Sequence, residues 1–475
     1  MRSTRARLGV AAVAMLAMTT AACGSDNDPG EDSNEDTGSN DGDGGDDEAS
    51  DEPEPVTISV SNLPPTTEEG ARAAFLGRVA EFEEAYPHIT VEPSEYEWDP
   101  TTFAAGLAGG TLPTAFQYPF TYGKELTARG QVADITAELG ELSYADDFNP
   151  AVLDVVSDDS GNVFGVPVAA YGMGLHYNRA MFEAAGLDPD SPPTTWAEIR
   201  EYADAIAEAT GEAGYAQMTQ NNTGGWILTT FTYALGGRMQ ELDGEDVTVS
   251  LDNDATKSAL QMLHDMRWED DSLGSNFLLD WGTINQAFAA GQVGMYMSGS
   301  DVYNSLVTEN GVEPDAYGLT VIPMDGADSG VLGGGSIVSV RPDASDAERD
   351  AAVKWIDFYY MGKLTDEAAA VADAQGLADS GAPVGTPALP IFSEEQLALS
   401  DSWVEELVNV PVDQMAPFKA NIFAQPLVPE PPVRGQELYA ELDAVVQAVL
   451  NDENADIDAL LETANANVTS LVEAG

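Results

Sequence analysis

A mixed α/β fold is predicted for the body of this 475-residue chain, and three observations predict it. Val56-Thr57-Ile58-Ser59-Val60 alternates in side-chain type and is rich in β-branched residues, which predicts a first strand. From Glu68 to Tyr86, apolar residues at Ala71, Phe75, Val79, Phe82 and Ala85 share one helical face, and Pro87 stops the run. Ile89-Thr90-Val91 then predicts a second strand. Strand, helix and strand within about 40 residues form a βαβ unit, which implies a parallel sheet. The far end differs: Glu437 to Leu450 and Ala455 to Val472 keep helical spacing with no strand between them, so the chain closes on helices.

The N-terminus predicts export. Arg2, Arg5 and Arg7 precede an apolar, Ala-rich stretch from Leu8 to Met18. That stretch is shorter than the roughly 20 residues a bilayer crossing needs, and its layout is that of a secretory signal, residues 1–22. It ends in Thr20-Ala21-Ala22-Cys23-Gly24, which resembles the bacterial lipobox. The resemblance implies lipidation of Cys23 and attachment to the outer face of the cell membrane by that lipid alone. Cys23 is the sole cysteine, so no internal disulfide forms. The tract that follows, Gly24 to Pro55, is built from Asp, Glu, Gly, Ser and Asn without Val, Ile, Leu or an aromatic residue. It cannot bury enough surface to offset its ordering entropy, so residues 23–55 read as a disordered acidic tether. Asp41-Gly42-Asp43-Gly44-Gly45-Asp46 lacks the pattern and closing Glu of an EF-hand loop.

Charge narrows the partners. The chain has 82 acidic against 18 basic residues, a formal net charge of −64, and the body carries most of both. Such a surface repels nucleic acid and anionic headgroups, so neither is an expected partner. The excess also suggests a saline habitat, where counterions screen the self-repulsion.

Four motifs then resemble, in order, those of the sugar-binding proteins of ABC importers, the large extracellular solute-binding family that includes maltose-binding protein. Phe103-Ala104-Ala105-Gly106-Leu107-Ala108-Gly109-Gly110-Thr111-Leu112-Pro113 resembles the family's helix and small-Gly-x-x-Pro-Asp turn, with Thr114 in place of the Asp. Val163-Phe164-Gly165-Val166-Pro167 with Leu175-His176-Tyr177-Asn178 resembles Gly-hydrophobic-Pro followed by Leu-Tyr-Tyr-Asn. Ala184-Ala185-Gly186-Leu187 with Pro193-Thr194-Thr195-Trp196 resembles the next element. Phe288-Ala289-Ala290-Gly291 through Met295 to Gly299 resembles the last. The resemblance spans nearly all of Val56 to Val472. It implies a two-lobed periplasmic-binding-protein-like fold of type II, with a hinge and an interlobe cleft. Lobe one is expected to hold 56–170 and 302–345, and lobe two 171–301 and 346–475. Crossings are expected near Ala169 to Gly174, Gly299 to Val302 and Arg341 to Glu348. The implied function is capture of a sugar, an oligosaccharide rather than a monosaccharide, and delivery to ABC permease subunits, with the chain acting as a monomer.

Sugars present apolar C–H faces that stack on aromatic rings, and hydroxyl rims that need polar partners. Candidate ligand residues follow from that chemistry. Trp226 stands beside the amide-rich turn that holds Asn221, and Trp281 follows Asp280. Tyr171 lies between small residues at the first expected crossing. Gln117 and Tyr118 sit at a strand end, where α/β sheets bind ligands. Asp301 occupies the place near which many relatives carry a tryptophan, Trp98 follows the second strand, and Gly334 and Gly335 resemble a glycine pair that lets backbone approach the ligand. Trp196 is expected to be structural, beneath a helix cap at Thr195.

The competing class is a secreted, lipid-anchored carbohydrate hydrolase or lyase. His88, His176 and His264 are scattered and none lies in an HExxH pattern, and Gly-x-Ser-x-Gly is absent from the sequence. The expectation is therefore a binding protein without catalytic residues, metal or cofactor.

Overall fold

The computed structural model describes residues 53–243 and 246–474. The predicted signal segment, Cys23 and nearly all of the acidic tract lie outside the described residues. The opening βαβ unit forms as its pattern predicts. Strand β1 (Val56–Val60) pairs in parallel with β2 (Ile89–Pro93), in register from Val56↔Ile89 to Val60↔Pro93. Helix α1 (Glu69–Ala85) between them buries Phe75, Val79 and Phe82, the one-face spacing read from the sequence. Strand β3 (Ala115–Pro119) lies on the other side of β1, also parallel. Thr114 ties these two strands: its Oγ1 accepts from the Ser59 amide at 3.1 Å, and its own amide donates to Ser59 Oγ at 2.9 Å.

The element that organises the molecule is β4 (Val166–Asn178), 13 residues long. Its first half, up to Gly172, pairs antiparallel with β10 (Val331–Val340). Its second half, from Met173, pairs antiparallel with β8 (Val293–Gly299) on one side and β9 (Tyr317–Val321) on the other. Strand β5 (Ala213–Tyr215) extends the second half from β8, and β11 (Leu427–Pro429) flanks β10. The strand order is β2-β1-β3-β10-β4-β8-β5, and β6 (Gln240–Asp243) with β7 (Asp246–Val249) forms a separate ribbon. All seven residues of β8 are buried. A strand covered on both faces by helices has no use for polar alternation, so its sequence is a run rather than a pattern.

Helices complete each half. On the second half these are α2 (Trp196–Thr210), α3 (Thr223–Ala234), α4 (Asp254–Trp268) and α5 (Trp281–Ala289). Helix α2 starts on a capping box between Thr195 and Glu198, and Trp196 packs on Phe231 with ring centroids 4.4 Å apart, the structural role expected for it. Arg200 of α2 reaches Asp265 and Asp270 at the end of α4 at 2.8 and 2.5 Å. Helix α6 (Asp346–Ile356) lies on the first half, where Trp355 meets Phe82 edge-on at 5.3 Å. Helix α7 (Val412–Asn421) packs on β9, and α8 (Gly435–Asn451) and α9 (Ile457–Glu473) close the chain beside α3 and α4.

The first expected crossing, Ala169 to Gly174, coincides with the switch of partners at Gly172/Met173. The other two are corrected. After Gly299 the chain does not leave the second half, because β9 returns to pair with Gly174–Asn178. The passage instead lies between β9 and β10. Nor does it cross at 341–348, because α6 packs back on α1 and β1. Between α6 and β11 the chain visits the second half, where α7 packs on β9, and it returns there from β11 into α8. Residues 302–321 therefore associate with the second half and α6 with the first, the reverse of the expected division. The error arose from treating the end of β8 as a hinge, when β9 shares the same sheet.

Candidate functional site

The residues the sequence singles out fall into three groups of polar and aromatic side chains, one of which lies where the two halves of β4 meet. The first centres on Tyr171, the residue just before the partner switch. Its ring lies across Gly334 of β10, where a Cβ would stand 2.7 Å from the Tyr171 Cζ. On the other side a Cβ at Gly299 would be 2.8 Å from Asp301 Oδ1 and 3.3 Å from Tyr171 Cδ2. Trp226, in the first turns of α3, meets Tyr171 edge-to-face at 6.2 Å. Tyr171, Trp226, Asp301 and Gly334 are thus brought together from β4, α3, the turn after β8 and β10. The glycine at 334 makes room for the Tyr171 ring. Gly335 pairs with Ala170 and faces the Phe120 ring.

Two carboxylates shape this group. Asp301 keeps an open path to solvent yet sits deep enough among protein atoms that desolvation raises its pKa. Glu430, in the passage from β11 to α8, is 9% exposed. Its Oε2 accepts from Thr121 Oγ1 at 2.7 Å and its Oε1 from the Tyr439 hydroxyl at 3.2 Å. Burial raises its pKa against the lowering effect of those two donors. Burial above all, and then the Glu430 and Asp301 carboxylates, push the Tyr171 phenol well above its usual range, so it stays a hydroxyl.

Glu430 was not singled out from sequence. It stands in Pro429-Glu430-Pro431-Pro432, which reads as a loop, and one acid among 82 carries no signal. Asp443 of α8 escaped for the same reason. Its carboxylate accepts from the amides of Asn222 and Gly225 at 2.8 Å each, at the N-terminus of α3. An anion there complements the helix dipole and fixes the turn that presents Trp226.

The second group lies at the C-terminal ends of β1, β2 and β3. Asn62, held at φ 66°, donates its Nδ2 to Gln117 Oε1 at 2.8 Å. Gln117 is partly exposed there, as its strand-end position predicts. Tyr118, the neighbouring candidate, is 1% exposed, with its hydroxyl 2.8 Å from Ser339 Oγ in the core between β3 and β10. Alternation along β3 explains this, since neighbours at 117 and 118 face opposite sides. Trp98 is partly buried against Phe103, Tyr118 and Tyr122, at 4.6, 5.3 and 5.1 Å between centroids. The third group joins α5 to the α3 turn. Asn221 donates to Asp280 Oδ2 at 2.9 Å, and Asp280 caps the helix that begins at the partly buried Trp281. Among the described residues no group of His, Cys, Asp and Glu is arranged to hold a metal ion, and no helix is long and apolar enough to cross a membrane.

Comparison with known proteins gives a family. The model for bacterial extracellular solute-binding protein matches residues 77–380. The sn-glycerol-3-phosphate-binding periplasmic protein UgpB of Salmonella typhimurium is 24% identical over 293 residues, which is 58% of this chain and 65% of that protein. The chain thus spans just under two thirds of that relative's length. Among solved structures, the cyclic α-maltosyl-1,6-maltose binding protein from Arthrobacter globiformis superposes with a TM-score of 0.68 at 22% identity, over 89% of this chain and all of that one. UgpB from Mycobacterium tuberculosis, solved with glycerophosphocholine, gives 0.63 at 16% identity, over 88% and 98%. These likenesses establish the two-lobed α/β fold, and the chain belongs to the bacterial extracellular solute-binding protein family.

Proposed function

We propose that this chain captures a sugar, an oligosaccharide by preference, between its two lobes and delivers it unchanged to the permease of an ABC importer. A lipid on Cys23 anchors it to the outer face of the cell membrane, and it works as a monomer. The observation that carries the reading is the meeting of Tyr171, Trp226 and Asp301 at the partner switch of β4. There a ligand finds aromatic faces for its C–H surfaces and a carboxylate for its hydroxyls. Lobe one comprises β1 to β3, the first half of β4, β10, β11 and α6. Lobe two comprises the second half of β4 with β5, β8, β9, α2 to α5, α8 and α9. Closure works because a ligand touching both lobes stabilises the closed state by its additional contacts there. Ligand residues on this reading are Trp226, Tyr171, Asp301, Trp281 and Asn221, with Gln117 and Trp98 facing them from lobe one.

The test is intrinsic tryptophan fluorescence of the chain, titrated with mono- and oligosaccharides. A saturable change that Trp226→Ala removes supports the reading. A full panel without response, and without any rise in melting temperature, contradicts carbohydrate as the ligand.

A further inference from the structure

We infer that Asp301 acts as a specificity determinant that rejects phosphate-bearing ligands, so that the site takes uncharged polyhydroxyl compounds; this rests on the solute-binding reading above. The relatives just described include two whose ligands carry phosphate, so the chain's own charges decide the matter.

Phosphate recognition in proteins relies on Arg or Lys forks and on helix N-termini. Most of the Lys and Arg side chains are committed elsewhere here. Of the 18 Lys and Arg, three (Arg2, Arg5 and Arg7) precede the described residues. Thirteen of the other fifteen are in ion pairs with carboxylates. Arg238 donates to the backbone oxygens of Gly237 and Asp328, and Lys363 lies on a short helix, Gly362–Thr365, packed against helix Glu367–Ser380. Arg434, the basic residue closest along the chain to Glu430, holds Glu437 at 3.2 Å. The helix end nearest Trp226 is taken as well, because Asp443 accepts the Asn222 and Gly225 amides.

What remains at Tyr171 is negative. The Asp301 carboxylate stands beside its ring, within reach of the same glycine position at 299. Carboxylates accept hydrogen bonds, which sugar hydroxyls can donate and a phosphate dianion cannot. Two like charges brought together in a partly desolvated site repel far more strongly than in water. An uncharged sugar suffers neither penalty, and its affinity should ignore ionic strength.

The experiment is isothermal titration of the full chain with maltooligosaccharides, sn-glycerol-3-phosphate and glucose 6-phosphate at pH 7.5, in low and in molar salt. The expected result is at least about a hundredfold preference for the best uncharged sugar, with a Kd that salt leaves within roughly twofold. In Asp301→Asn the preference should narrow by about tenfold or more. The ratio between ligand classes reads charge, whereas general damage to the fold lowers both affinities together. A phosphate ester that binds as tightly as any uncharged sugar overturns this inference and leaves the solute-binding reading standing. Saturable binding by neither class overturns the sugar reading itself.

Discussion

The ring of Tyr171 lies across the backbone of Gly334, with the position of an added Cβ 2.7 Å from its Cζ and 3.1 Å from its Cε1. That relationship joins β4 to β10 at the point where β4 changes partners, and it sets the tyrosine's direction. Gly334→Ala should displace the ring, because the obstructing atoms belong to a rigid aromatic group held between Gly299 and Trp226. The expected outcome is a loss of ligand affinity of about tenfold or more, at a stability cost of about 1–3 kcal/mol. Ligand titration and urea denaturation of the variant check both.

Trp226 should supply a stacking face. Trp226→Ala is expected to weaken sugar binding by about tenfold, in line with the roughly 1 kcal/mol that aromatic contacts add beyond buried area. Trp196→Ala, by contrast, removes a ring packed on Phe231 at 4.4 Å. It should lower the melting temperature while sparing affinity in the protein that remains folded.

Glu430 joins the halves through Thr121 on one side and Tyr439 on the other. Glu430→Ala should leave both hydroxyls without their buried partner and destabilise the fold by about 1–3 kcal/mol. Glu430→Gln retains an acceptor and should cost less. Equal loss in both variants would show that the hydrogen bonds contribute nothing.

His176 is fully buried, with Nε2 donating to the Ser298 carbonyl at 3.3 Å and Nδ1 accepting from Tyr317 at 2.8 Å. The carbonyl can only accept, which assigns the proton to Nε2. Burial lowers its pKa from 6.5 to about 4. As the pH falls through this window the unfolded chain gains a proton that the folded chain refuses, so stability falls. The loss should total about 3 kcal/mol between pH 6.5 and 4 and stop below that. Asp301, Glu430 and Asp443, whose pKa values are raised, act with the opposite sign. The His176 contribution is therefore read as the difference between wild type and His176→Gln in urea titrations across pH.

The net charge of −64, with most basic groups already paired, leaves acids repelling one another across the surface. Molar salt should raise the melting temperature by screening them. Melting that is indifferent to salt would contradict the saline reading.

Much of this molecule was legible in its sequence where local pattern decides the outcome. The βαβ start, the terminal helices, the Thr195 cap and the first passage between halves all rest on periodicity or on short motifs. The later passages did not, because whether β9 returns to β4 depends on pairing across some 140 residues, which no local pattern encodes. In the site, small and turn-forming neighbours marked Tyr171 and Trp226 in the sequence, and the structure brings their rings together edge-to-face. Tyr118 lies in the core, unlike its neighbour Gln117, because one step along a strand reverses its face. Glu430 and Asp443 stayed hidden because a single acid in an acid-rich chain has no contrast until its hydrogen-bond partners are known.

The central claim is binding without turnover. The most direct measurement is calorimetric titration of the chain with oligosaccharides, followed by chromatography of the recovered sugar. The account predicts one saturable site and a ligand recovered at its original length. Recovery of shortened products would contradict it.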